Sequence, residues 1–98
     1  MKIIWSPLSL DRTAEIAEYI SFDNMTAAKR WVKNIIKKVD ILKSSAKAGR
    51  IVPEIEREEI RELIYGNYRI IYRVEIVRVV VLTIRHGKQI LPIDEILL

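Results

Sequence analysis

The sequence predicts an α+β domain: an N-terminal strand, an antiparallel helical hairpin, then a three- to four-stranded antiparallel sheet. Three observations carry that prediction. Two consecutive stretches of helical apolar periodicity are separated only by Phe22-Asp23-Asn24. After Gly49 the periodicity shortens to the alternation of strands. The dipeptide Gly66-Asn67 sits between two apolar runs, as a tight hairpin turn requires. With 98 residues the chain is one domain's worth, so residues 1–98 are read as a single domain.

Lys2 to Trp5 is a short strand. Ser6-Pro7 then starts a helix, with serine as N-cap and proline at the first helical position, where its missing N–H costs nothing. Thr13, Ile16, Ala17 and Ile20 form its apolar face, which runs to about Ser21. Asn24 caps a second helix whose stripe is Ala28, Val32, Ile35, Val39 and Leu42, widened by Trp31 and Ile36. That helix is expected to reach Lys47-Ala48-Gly49, with Gly49 as a left-handed terminator. Lys29, Lys33, Lys37 and Lys47 then occupy the opposite face, flanked by Arg30 and Lys38. No aromatic interrupts these lysines to stack on bases, so the row reads as a solvated face rather than a nucleic-acid binder.

Pro53 confines the extended segment Arg50–Ile55 to an edge of the sheet. Glu54, Glu56, Glu58 and Glu59 read as a solvated loop. Nothing nearby would desolvate one carboxylate and spare another, as acid–base work demands. Ile60–Tyr65 and Tyr68–Val74 are strands, and Val77–Arg85, apolar on both faces, is a third that belongs in the middle of the sheet. The tail from Gly87 has no pattern beyond Ile90, Leu91, Ile93, Ile96 and Leu97.

A two-residue turn pairs Tyr65 with Tyr68, Leu63 with Ile70 and Arg61 with Tyr72. One face of the sheet then carries Leu63, Tyr65, Tyr68, Ile70, Tyr72 and Val74, continued by Val79, Val81 and Thr83, and is the seat of the helices. The opposite face carries Ile64, Arg69, Ile71 and Arg73, then Arg78, Val80, Leu82, Ile84 and His86. Guanidinium groups and isoleucines alternate there, and each is costly in the other's preferred surroundings. Two arrangements relieve the conflict: a groove filled by a partner, or a cap made by the chain's own apolar tail with arginines at its rim.

The composition removes several chemistries. There is no cysteine, which excludes disulfides, thiolate metal sites and a thiol nucleophile, and only one histidine. The three glycines each sit at a turn, so no phosphate-cradling loop exists. No metal and no cofactor are expected. No apolar run approaches the roughly 18 residues of a membrane span, and the N-terminus is too short for a signal peptide. A cytoplasmic protein without membrane contact is therefore expected. A net charge of +4 favours acidic partners. A metal-independent ribonuclease needs several converging basic groups. Only Arg69, Arg73 and Arg78, with His86 or Lys88, are available on this sheet.

The element order, the segment RIVPE, the pattern REL-x-x-G-x-YRI-x-YRV and the closing VLTIRHGKQ together resemble the ParE branch of the RelE/ParE toxin superfamily. The resemblance spans Trp5-Ser6-Pro7 to Leu91-Pro92. It implies the toxin of a type II toxin–antitoxin module, a plasmid stabilisation protein neutralised by a cognate antitoxin, ParD-like or related. It also implies assembly as a homodimer or as a heterotetramer with that antitoxin, which would fill the groove just described. ParE-type members act on DNA gyrase by protein–protein binding, whereas RelE-type members cleave mRNA on the ribosome. Arg69 matches a phosphate-contacting arginine of the RelE type. However, Ile60 and Glu62 stand where those enzymes carry lysines, Gln89 stands where they carry an arginine, and no C-terminal tyrosine is evident. The expectation is a gyrase inhibitor with no active site of its own. The alternatives are a ribosome-dependent mRNA endonuclease with Arg69 as its surviving anchor, or a non-toxic antitoxin-binding module.

Overall fold

Two capping side chains set the helical layer in the computed structural model, which describes residues 1–97. The Ser6 hydroxyl accepts from the Ser9 amide at 3.0 Å and starts α1 (Pro7–Ser21). The Asn24 side-chain Oδ1 accepts from the Ala27 amide at 3.0 Å and starts α2 (Met25–Asp40). α2 stops well before the expected Lys47, passing into one 3-10 turn over Ile41–Lys43. Ser44-Ser45 follows, and the Ser44 hydroxyl donates to the Ile41 carbonyl at 3.4 Å, the local competition by which serine weakens helices. Lys47 consequently leaves the lysine row.

Gly49 is not a helix terminator. Its φ is not positive; among glycines only Gly66, at 57°, has a positive value. Glycine is required at 49 by close approach. A Cβ would sit 2.4 Å from the Glu62 carbonyl oxygen and 2.6 Å from the Tyr72 hydroxyl. That hydroxyl accepts from the Gly49 amide and donates to the Ala46 carbonyl, both at 2.9 Å. A fully buried phenol thus ties the connecting segment to the sheet.

The sheet has five strands: β1 (Lys2–Trp5), β2 (Arg50–Ile51), β3 (Ile60–Tyr65), β4 (Tyr68–Val74) and β5 (Arg78–His86). Their order is β1-β5-β4-β3-β2. β2 to β5 form the expected antiparallel sheet, and β1 joins it parallel to β5, so the five-stranded whole is mixed. β5 lies inside the sheet and the Arg50–Ile51 strand lies at an edge, as their sequences require. The β3–β4 register is the one the turn dictates, Tyr65 opposite Tyr68 and Leu63 opposite Ile70. Gly66 alone takes a positive φ in that turn, the sign pattern of type II′.

One irregularity changes which residues face which way. Ile71 pairs with Thr83 but Tyr72 pairs with Val81, so β5 carries one extra residue at Leu82. Leu82 and Thr83 therefore both lie on the face away from the helices, and alternation is inverted beyond them. The Ser6 hydroxyl donates to the Leu82 carbonyl at 3.1 Å, and the Ser6 amide to the Val81 carbonyl at 3.1 Å. The side chain that caps α1 also satisfies the disrupted strand.

Both faces of the sheet are buried. On the helix side, Trp31, Ile35 and Val39 of α2, with Leu42 of the 3-10 turn, pack on Leu63, Ile70, Tyr72, Val79, Val81 and Ile84. On the far face Val52, Ile60, Ile71, Val80 and Leu82 form a second core, closed by Leu91 and by Ile96 of the short α3 (Ile93–Ile96). Replacing Gly49 by alanine should lower unfolding stability by about 1–3 kcal/mol, the usual cost of overpacking, with further loss if the Tyr72 bonds break. Urea denaturation of the variant measures this.

Candidate partner-binding face

The nine residues assigned to a partner groove are divided between the two faces of the sheet. Ile64, Arg69, Ile71, Arg73, Arg78, Val80 and Leu82 lie on the far face as expected. Ile84 and His86 do not, because the bulge at Leu82 turns them toward the helices; Thr83 and Arg85 take their places. Ile84 packs in the helix-side core, and the His86 ring meets Tyr68 edge-on at 5.6 Å. Of the far-face apolar residues only Ile64 remains well exposed, at 46%. Ile71, Val80 and Leu82 are covered by the chain's own Val52, Leu91 and Ile96. Of the two arrangements open to the sequence, the structure takes the cap.

The arginines are matched by the chain's own acids. Glu62, 1% exposed, accepts from Arg69 Nε at 2.5 Å and from Arg50 Nε at 2.6 Å. Arg69, itself buried, turns its two remaining nitrogens onto Glu54 at 2.7 and 2.9 Å, a bidentate pair. Glu54 is thus not a freely solvated loop residue. The Arg69 guanidinium holds its carboxyl down to about 2 from an ordinary 4.5. Those carboxylates in turn raise Arg69 further above its ordinary value, Glu54 contributing most. At the other end of the sheet Glu75 accepts from Arg78 at 2.5 Å and Arg73 at 2.8 Å, which lowers its pKa.

A third cluster fastens the tail. Glu95 accepts from Arg12 of α1 at 2.7 Å and from the Thr83 hydroxyl at 2.9 Å, with Arg85 at 3.5 Å. Burial alone would raise the Glu95 pKa, but these donors and charges outweigh it and the net shift is downward. The Nε groups of Arg12 and Arg85 are buried there without a hydrogen-bond partner.

The basic groups of the sheet are divided between its two ends. Each nitrogen of Arg69 bonds a carboxylate, so its charge is already matched within the chain by Glu62 and Glu54. Arg69, His86 and Lys88 do border one cleft of about 370 Å³, while Arg73 and Arg78 are at the opposite end of the sheet with Glu75. His86 Nδ1 accepts from the Lys88 amide at 3.2 Å. Among the described residues, no group of three or more histidine or acidic side chains could hold a metal ion. No described helix is long and apolar enough to cross a membrane. Sequence reasoning missed Glu54 and Glu62 as partners of Arg69. The detectable signal was the β3–β4 register, which sets Glu62 opposite Ile71 and diagonal to Arg69 on one face.

A helical hairpin packed on one side of a sheet, with the other side closed by ion pairs and a short tail, defines a small α+β domain. The family model described as the ParE toxin of the type II toxin–antitoxin system, parDE, matches residues 3–91, and the chain belongs to this family. A solved structure titled "Chromosomal ParDE TA system from P. aeruginosa" matches with a TM-score of 0.75 and 21% identity. The match covers 90% of this chain and 97% of that one, and at this identity it speaks to the fold. No curated protein matches the sequence.

Replacing Arg69 by leucine strands buried Glu62 with Arg50 alone and should cost about 3–5 kcal/mol in urea denaturation. The double variant Arg69→Leu/Glu62→Leu should recover most of that loss, because the uncompensated charge is gone. Glu54 supplies a pH dependence. Its folded pKa of about 2 lies below the ordinary 4.5, so its stabilisation is present above pH 4.5 and is lost as pH falls toward 2. The fall in Tm over that window should be shallower in Glu54→Gln than in the unsubstituted protein.

Proposed function

We propose that this ParE-family toxin inhibits DNA gyrase by protein–protein binding and is neutralised by a cognate antitoxin. The observation that carries the reading is the state of Arg69. A ribonuclease of the alternative type would use this arginine on a phosphodiester, yet it is buried and held by Glu62 and Glu54. Glu62 in the centre of the face would repel the substrate. With Arg69 committed to two carboxylates, and Arg73 and Arg78 at the other end of the sheet with Glu75, inhibition by surface complementarity is the mode the geometry favours.

The antitoxin then needs a surface other than the closed core of the far face. Two apolar side chains on the outside of the hairpin, Leu10 and Ile36, are more than half exposed. With Trp5, Ala14 and Val32 they line an apolar groove between α1 and α2 that suits an amphipathic segment. On the far face an antitoxin would meet only the rim, at Ile64, Arg73 and Arg78.

A supercoiling assay tests both halves. The purified chain should block gyrase supercoiling and accumulate cleaved DNA, and the co-purified antitoxin should restore activity. The variant Leu10→Asp/Ile36→Asp should resist that rescue. An unaffected gyrase, together with mRNA cleavage in a translating extract, would replace this reading with the endonuclease.

A further inference from the structure

The positive charge of this chain is segregated in a way its composition conceals. On the far face the arginines are matched by the chain's own acids: Arg50 and Arg69 share Glu62, Arg73 and Arg78 share Glu75, and Arg85 meets Glu95. α2 is the reverse. Lys29, Arg30, Lys33, Lys37 and Lys38 enter no ion pair among the described residues. The helix's one carboxylate, Asp40, is taken by Lys43 at 2.8 Å. Five basic residues against one acid give this single helix an excess equal to the chain's whole net charge of +4.

The geometry of the row is equally particular. Lys29, Lys33 and Lys37 recur every fourth residue, so they share one face about 6 Å apart along the axis. All three are exposed, and the opposite side of the helix is fixed to the sheet through Trp31, Ile35 and Val39. Like charges at this spacing repel one another and weaken a helix, so the row is a cost to the isolated chain. A polyanion removes that cost.

We propose that the exposed face of α2 binds the phosphate backbone of double-stranded DNA without sequence preference. Over the row's length of about 12 Å, a duplex presents about seven phosphate charges. The absence of an aromatic side chain among the lysines counts against single strands, whose capture relies on base stacking, but not against a duplex gripped by its backbone. The row is mostly lysine, which meets a phosphate as a point charge, and phosphate contacts carry no sequence information. This inference is independent of the gyrase reading and is measured without that enzyme.

Fluorescence anisotropy of a labelled mixed-sequence duplex with the full chain tests it. Three to five phosphate contacts give a plot of log K against log salt a slope of about −3 to −4.5. Affinity should therefore fall roughly 60- to 500-fold between about 50 and 200 mM salt. Lys33→Gln/Lys37→Gln should flatten that slope by about 2. Lys2→Gln/Lys88→Gln removes the same charge from exposed sites elsewhere and should leave the slope unchanged. Both double variants alter exposed side chains, and unaltered thermal melting verifies their folding. No binding at about 50 mM salt, or equal losses in the two variants, would overturn the proposal. So would displacement of the duplex by polyglutamate at equal charge, which would assign the face to an acidic protein.

Discussion

A buried carboxylate, Glu62, organises one whole side of this molecule. At 1% exposure it must be compensated, and the compensation propagates. Arg69 and Arg50 supply it, and Arg69, buried in its turn, requires Glu54. Glu54 draws residues 52–56 across the edge of the sheet, where the Val52 amide bonds the Ile60 carbonyl at 3.2 Å. The amides of Ile55 and Glu56 fold back onto the Val52 carbonyl at 3.1 and 2.9 Å. That tight return takes Glu56 to a φ of 57°, an uncommon conformation for a residue with a Cβ. The result is a fully buried Val52, which forms one wall of the far-face core.

The other wall is built by the same means. Glu95 of α3 gathers donors from α1 and β5, so the tail is fastened to both layers at once. Leu91 and Ile96 then close over the apolar residues of the sheet. A chain of this size usually has difficulty burying two faces of a sheet, because its surface is large for its volume. Here salt bridges at the rim position short segments whose apolar side chains finish each core. Arg69, Arg73, Arg78 and Arg85 all take part in this bracing.

Most of the architecture was legible in the residues. Ser6, Pro7 and Asn24 announce the two helices by capping chemistry that depends only on near neighbours. Gly66-Asn67 fixes a turn whose register follows by counting. Features that depend on distant partners were not legible. Gly49 looks like a terminator because glycine often is one, whereas its reason is a tyrosine hydroxyl contributed by β4. The end of α2 depends on a serine pair whose weak effect competes with a continuing apolar stripe. The mixed sheet follows from a parallel contact between the first and last strands, for which Lys2–Trp5 carries no signal. The partners of Arg69 were hidden for a related reason. Charge alternation on β4 was visible, but which carboxylate would reach Arg69 across a connecting loop was not.

The extra residue at Leu82 has a consequence for comparing such chains with one another. β5 contains two phases, and a position counted from its start belongs to one side of the sheet before that point and to the other after it. Aligning a relative without the irregularity, residue for residue, would exchange inside for outside from Thr83 to the end of the strand. Functional labels copied by position would then land on the wrong surface, although the two sequences matched letter by letter.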